Sequence, residues 1–223
     1  MDVIQILRTI QNDPIHLLDA EIPHASYVPL DLSVDNSELK TVDITDVSEC
    51  QRYIDQVLDA NHARVAYGGY LEKRALYSKS ENFAGPTARN IHLGLDFWCV
   101  AGTKVLAPLE GTVHSFGNNT TPGDYGPTII LRHTLGDFEF YSLYGHLSEA
   151  SLDGLKKSKI IHQGDQIGTL GGAKVNGGYA PHLHFQLIVD IQEYDGDYPG
   201  VCHETDLNFY TKNCPNPNLL CKL

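Results

Sequence analysis

From Val65 onward glycine becomes frequent, and Val, Ile, Thr and Tyr collect in short runs separated by Gly, Pro, Asn and Asp. Such runs suit strands, because branched and aromatic side chains pack well on a pleated surface while the punctuating residues supply turns. The spacing predicts strands over 93–98, 104–107, 111–116, 128–133, 138–147, 166–170 and 182–189. The expected fold class is mainly β, an antiparallel β-sandwich or folded barrel, with a short helical N-terminal extension.

That extension, residues 1–64, has a different texture. Acids recur at Asp31, Asp35, Glu38, Asp43, Asp46, Glu49, Asp55 and Asp59 with few basic residues between them. Asp46, followed by Glu49 and then Ile54, Val57 and Leu58, predicts an N-capped amphipathic helix of about three turns. Ile4, Leu7 and Ile10, spaced by three, predict a second short helix. The extension can either occlude a groove of the β unit of residues 65–200 or cap that unit, and capping is the expectation because an amphipathic helix must bury its apolar face. Residues 201–223, with CHETD, NCPNP and LLCKL, read as an irregular C-terminal tail packed back onto the domain.

A chain of 223 residues has room for one well-packed domain with an N-terminal extension, or for two small units sharing an interface. No run approaches the roughly 18 consecutive apolar residues of a membrane-crossing helix, so membrane insertion of that kind is excluded. A formal net charge of -12 argues against nucleic acid as a partner, since neutralising phosphates needs clustered Lys and Arg. The five cysteines are an odd set without a CxxC pair, which fits neither a disulfide framework nor a thiolate zinc site. They read as reduced and structural, with Cys202 and Cys214 a candidate bridge in an oxidising compartment. The opening MDVIQILRTIQNDP lacks the basic start and unbroken apolar core of an export signal, so the cytoplasm is the expected compartment.

Four of the eleven histidines fall in two compact constellations, His92 with Asp96 and His182 with His184. In a strand, residues two and four apart face the same way, so each constellation can project together. If the two strands are neighbours, three or four nitrogen and oxygen ligands converge. A His2Asp set leaves a tetrahedral position open for water, as catalytic zinc sites do. The cation lowers the pKa of water and polarises a carbonyl. Amide hydrolysis also needs a proton carrier and donors to the developing oxyanion, and histidine suits both tasks. An HExxH motif is absent, because His203-Glu204 is not followed by a second histidine at the required spacing.

The segments IHLGLDFW at 91–98, SLYGHLS at 142–148 and APHLHFQL at 180–187 resemble the three signatures of the M23 family of lysostaphin-type metallopeptidases. The resemblance runs from about residue 88 to 190 and includes VLAPLEGTV and IHQGDQIGTLGG. It implies the duplicated hybrid motif fold and one Zn2+ per chain on His92, Asp96 and His184. It places His146 and His182 in the positions of the catalytic histidines, which orient or deprotonate the metal-bound water and stabilise the tetrahedral intermediate. It implies an endopeptidase that hydrolyses amide bonds in peptidoglycan cross-bridges or other small-residue peptides, from a family usually exported.

On that fold the loop over 117–126 is expected to border the groove, with Tyr67, Tyr70 and Tyr125 as candidate groove aromatics. His16, His24, His62, His114, His133, His162 and His203 have no constellation and read as ordinary. The competing expectation is a non-catalytic or carrier module, because APLEGTV and QGDQIG also resemble hybrid-motif carriers. Biotinyl and lipoyl domains need a lysine hairpin that is missing, and a phosphocarrier has no use for Asp96.

Overall fold

The computed structural model describes residues 3–10, 15–76 and 89–223. Its centre is an eight-stranded sheet in the order β1-β2-β4-β11-β8-β7-β6-β9. These strands are β1 (Tyr27–Pro29), β2 (Val65–Gly68), β4 (Leu95–Trp98), β6 (Gly111–Asn119), β7 (Gly126–Leu135), β8 (Phe138–Gly145), β9 (Ile160–Ile161) and β11 (His182–Ile188). Every pairing is antiparallel except β1 with β2. Two ribbons flank it: β5 (Lys104–Leu106) with β10 (Gln166–Thr169), and β3 (Ile91–His92) with β12 (Val201–Cys202). The expected β architecture is present, and the strands foreseen from 104 to 189 all form, with ends shifted by up to three residues.

Alternation along the central strands assigns the two faces. On β11, Leu183, Phe185 and Leu187 enter the main core, joined by Leu95 and Phe97 of β4, Phe140 and Tyr144 of β8, and Ile129 and Leu131 of β7. Val105 and Ile167 of the β5–β10 ribbon close that core from the other side. The intervening residues, among them Asp96, Trp98, His182 and His184, face the opposite way, as period-two geometry requires.

The extension forms both helices expected of it, and it also supplies β1, an edge strand of the large sheet that the sequence did not mark. Helix α1 spans Val3–Thr9 and buries Leu7 in the main core. Helix α2 spans Val47–Ala60, with the Asp46 carboxylate accepting from the Ser48 and Glu49 amides. Glu49 reaches back to accept from the Asp43 amide, so both ends of the capping turn are tied. Cys50, Tyr53 and Ile54 pack with Leu30, Leu32, Ile44 and Ala66, and this cluster also takes in Trp98 and Ala180. The extension thus caps the edge of the sheet that carries the histidine-rich face.

Two regions differ from expectation. The strand foreseen over 93–98 breaks at Leu93-Gly94, where the chain crosses from the β3–β12 ribbon to the large sheet, the Leu93 amide donating to the Gly200 carbonyl. The C-terminal segment, expected to be irregular, contains β12 and two short helices, α3 (Leu207–Asn213) and α4 (Asn218–Cys221). Cys214, Leu220 and Cys221 are buried there. These helices are too short for an apolar period to be legible. All five cysteines are free thiols, and Cys214 Sγ accepts from the Gln186 amide.

His133 is 1% exposed, between the Glu110 carbonyl at 2.8 Å from Nδ1 and the Ser142 hydroxyl at 2.6 Å from Nε2. Burial pushes its pKa down from 6.5 to about 4. The unfolded chain therefore takes up a proton near pH 6.5 that the folded chain refuses until about pH 4, and stability falls as pH drops through that window. Replacing His133 by Gln is expected to flatten the fall in urea midpoint between pH 7 and 5.

Candidate metal centre

The antiparallel register of β4 and β11 sets Asp96 opposite His184 and Trp98 opposite His182. On its other side His184 is paired with Gly145, which ends β8 just before His146. His92 comes from β3, across the break, so it reaches the same point from a different sheet. His92, Asp96 and His184, all buried, are the one group among the described residues with spacing suited to a metal ion. His92 Nε2 lies 2.9 Å from His184 Nδ1 and 3.2 Å from Asp96 Oδ1, and His184 Nδ1 lies 3.1 Å from the same oxygen.

Outer partners decide what those atoms carry. His92 Nδ1 faces the Gly69 carbonyl at 2.9 Å, which can only accept, so the proton sits on Nδ1 and Nε2 holds a lone pair. His184 Nε2 faces Gln186 Oε1 at 2.9 Å, leaving a lone pair on Nδ1. The Gln186 amide is oriented in turn by donation to the Pro199 carbonyl at 3.2 Å. Two lone pairs and a carboxylate oxygen thus face one another with no proton between them, an arrangement that a cation stabilises. Tetrahedral ligands about 2.0–2.1 Å from zinc stand roughly 3.3 Å apart, close to these separations.

Protonation states agree with that reading. Burial lowers the pKa of His92 to about 4, outweighing the pull of Asp96. Burial alone would raise the Asp96 carboxyl, yet His92, Arg74 and His182 hold it well below the usual carboxylate range.

The remaining two histidines stand beside this triad. His146 Nδ1 is 2.7 Å from the Asn176 carbonyl and His182 Nδ1 is 2.7 Å from the Ala180 carbonyl, so both carry a lone pair on Nε2. Their ring centroids are 4.2 Å apart, and His182 stacks on Trp98 at 5.7 Å. Burial lowers both pKa values, with His182 adding to the effect on His146. His146 has a left-handed backbone, φ 62°, a conformation that costs a non-glycine residue on the order of 1–3 kcal/mol. Two backbone hydrogen bonds hold it there, from its amide to Tyr125 and from Gly171 to its carbonyl.

Both histidine pairs open into a cleft of about 400 Å³. Gly123 and Asp124 of the loop expected to border it line one part, and Ile44, Val47 and Cys50 of the extension line another. Of the three tyrosines considered, Tyr125 lines the cleft, with its hydroxyl 3.3 Å from His184 Nε2. Tyr67 packs on the main core, and Tyr70 bonds the Cys214 carbonyl. Two glycines make room: a Cβ on Gly94 would lie 2.5 Å from His184 Cε1, and one on Gly145 would lie 2.5 Å from the Tyr125 ring.

Sequence reasoning missed Gln186, although it stands two residues beyond His184 on the same face and period two could have found it. It also missed Glu72 and Arg74. Nothing in LEKR distinguishes a buried arginine from a solvated charged turn.

The sequence model of peptidase family M23 matches residues 90–196. That segment, just under half of the chain, is similar to peptidase family M23. An uncharacterised metalloprotease of Haemophilus influenzae is 31% identical over 99 residues, which cover 44% of this chain and 19% of that protein. This chain therefore spans about a fifth of the length of the relative it matches. Among solved structures, the catalytic domain of the antimicrobial peptidase lysostaphin from Staphylococcus simulans is 26% identical, covering 55% of this chain and 80% of that one, with a TM-score of 0.38. A zinc-containing peptidase from Vibrio cholerae is 24% identical over 49% of this chain and 32% of that one, with a TM-score of 0.38. The M23 segment contains His92, Asp96, His146, His182 and His184, whereas Gly69, Glu72, Arg74 and Pro199 lie outside it.

Gly94→Ala is expected to displace the His184 ring and weaken divalent-cation binding by roughly ten- to a hundred-fold, the usual cost of disturbing a ligand's support. Titration against a chromophoric chelator measures it, and unchanged affinity contradicts the packing described.

Proposed function

We propose that the chain is a zinc-dependent endopeptidase, with the metal on His92, Asp96 and His184, that cleaves amide bonds in peptidoglycan cross-bridges or other small-residue peptides. The observation that carries this is the set of three proton-free acceptors within 3.2 Å of one another. Nitrogen and carboxylate donors at tetrahedral spacing suit zinc better than magnesium or calcium, which favour oxygen ligands in larger numbers. His92, Asp96 and His184 would hold the zinc, which when bound would polarise the scissile carbonyl and make water a stronger nucleophile near neutral pH.

The chain's own groups supply the proton traffic. With Nδ1 of His146 and of His182 committed to backbone carbonyls, each ring can take a proton only on Nε2, the nitrogen left for the cleft. Rings 4.2 Å apart do not both charge readily, so one accepts the proton of the attacking water while its neighbour stays neutral. The charged ring then becomes a donor, first to the developing oxyanion and then to the leaving amine. Trp98 and Tyr179 pack against this pair and restrict its ring positions. Asp96 supports the hydrolytic reading over a carrier module, because a buried carboxylate facing two imidazole lone pairs serves no group transfer by histidine.

Metal analysis of the purified protein is expected to find about one zinc per chain. His146→Ala and His182→Ala should retain that metal and lose at least about a hundred-fold in cleavage rate, while His184→Ala loses both. Peptidoglycan and glycine-rich peptides, read by mass spectrometry, provide the assay and locate the bond. Parental cleavage rates in both histidine variants would sink the assigned roles.

A further inference from the structure

We infer that Arg74 is a positioning residue of the metal centre: it occupies Oδ2 of Asp96 so that only Oδ1 is offered to the cation. The inference rests on the metal site proposed above. Arg74 is 2% exposed, and its Nη1 lies 2.6 Å from Asp96 Oδ2, while Asp96 Oδ1 is the oxygen facing the two imidazoles. A carboxylate free at both oxygens can chelate a divalent ion through both. One whose second oxygen is held by a guanidinium cannot do so without breaking a short charge-assisted bond.

The guanidinium is itself fixed. Its Nε is paired with Glu72 Oε2, and the other oxygen of Glu72 accepts from the Leu32 amide at 3.0 Å. Trp98 lies beneath it, 5.4 Å from ring centroid to Cζ. The same stretch of chain grips His92: Gly69 accepts from its imidazole, the Glu72 carbonyl accepts from its amide, and the Leu71 amide donates to its carbonyl. Residues 69–74 therefore orient two of the three metal-facing side chains, and Leu32 ties them to the N-terminal extension. A buried ion pair contributes little to stability on balance, because desolvation offsets the attraction. Glu72 also cancels the charge of Arg74, so the pair adds no net charge beside the cation. What it adds is geometry.

The test is cobalt substitution, which reports coordination number through the visible spectrum independently of turnover. The parental protein should bind about one cobalt per chain with the intense visible bands of a four-coordinate site. The double variant Glu72→Gln/Arg74→Met leaves the local net charge unchanged and removes the restraint. It should bind cobalt and zinc about ten- to a hundred-fold more weakly, with weakened visible bands as coordination number rises. Arg74→Lys, which keeps the charge without the fork, should fall between the two. Parental affinity and spectrum in the double variant overturn the inference, as do weak five- or six-coordinate bands in the parental protein. If circular dichroism shows the double variant unfolded, Arg74→Lys and the parental spectrum decide. Failure of the parental protein to bind any metal overturns the metal site itself, a result distinct from a failure confined to the variants.

Discussion

Three atoms that can only accept, His92 Nε2, His184 Nδ1 and Asp96 Oδ1, meet within 3.2 Å at a buried point. Without a positive charge between them they repel, so everything around them has to hold them in place. The β4–β11 register supplies Asp96 and His184 from adjacent strands, the β3–β12 ribbon supplies His92, and backbone or amide oxygens at Gly69 and Gln186 fix which nitrogen of each ring is bare. The hydrophobic core lies on the other face of the same strands, so the packing that stabilises the sheet also sets the spacing of these three acceptors.

Much of this was legible in sequence because strand geometry has a short, strict period. HLHFQ alternates core and site residues as period two requires, whereas HLGLD is broken between two sheets, so His92 and Asp96 converge without the single-strand period that paired them in the sequence, and the family resemblance marked them independently. The capped helix after Asp46 was legible for a similar reason, since both its cap and its apolar face lie within a few residues of one another. Illegible were the partners that come from far along the chain. Arg74 reads as part of a charged turn, and only tertiary folding brings it 2.6 Å from Asp96. Asn176 and Ala180 act through backbone carbonyls, which no side-chain pattern can mark. The short C-terminal helices escaped because neither spans enough turns to show a period.

The acidic extension has a double place in the structure. Its helix α2 caps the sheet edge through Cys50, Tyr53 and Ile54, while Ile44 and Val47 at its start form a wall of the cleft. Through Leu32 it also meets Glu72 and hence the arginine beside Asp96. The extension thus contributes to packing, to the shape of the cleft and, through Leu32, to the surroundings of Asp96.

The break at Leu93-Gly94 has a consequence for how such a centre is assembled. Because His92 belongs to the β3–β12 ribbon and Asp96 to the large sheet, the two halves of one short motif are held by separate strand pairings, with β12 and with β11, each drawn from residues about a hundred positions later. A fragment cut to the limits of the M23-like segment would contain His92, Asp96 and His184 yet lack β12 and the Gly69 carbonyl, leaving His92 with neither its β12 partner nor a fixed tautomer.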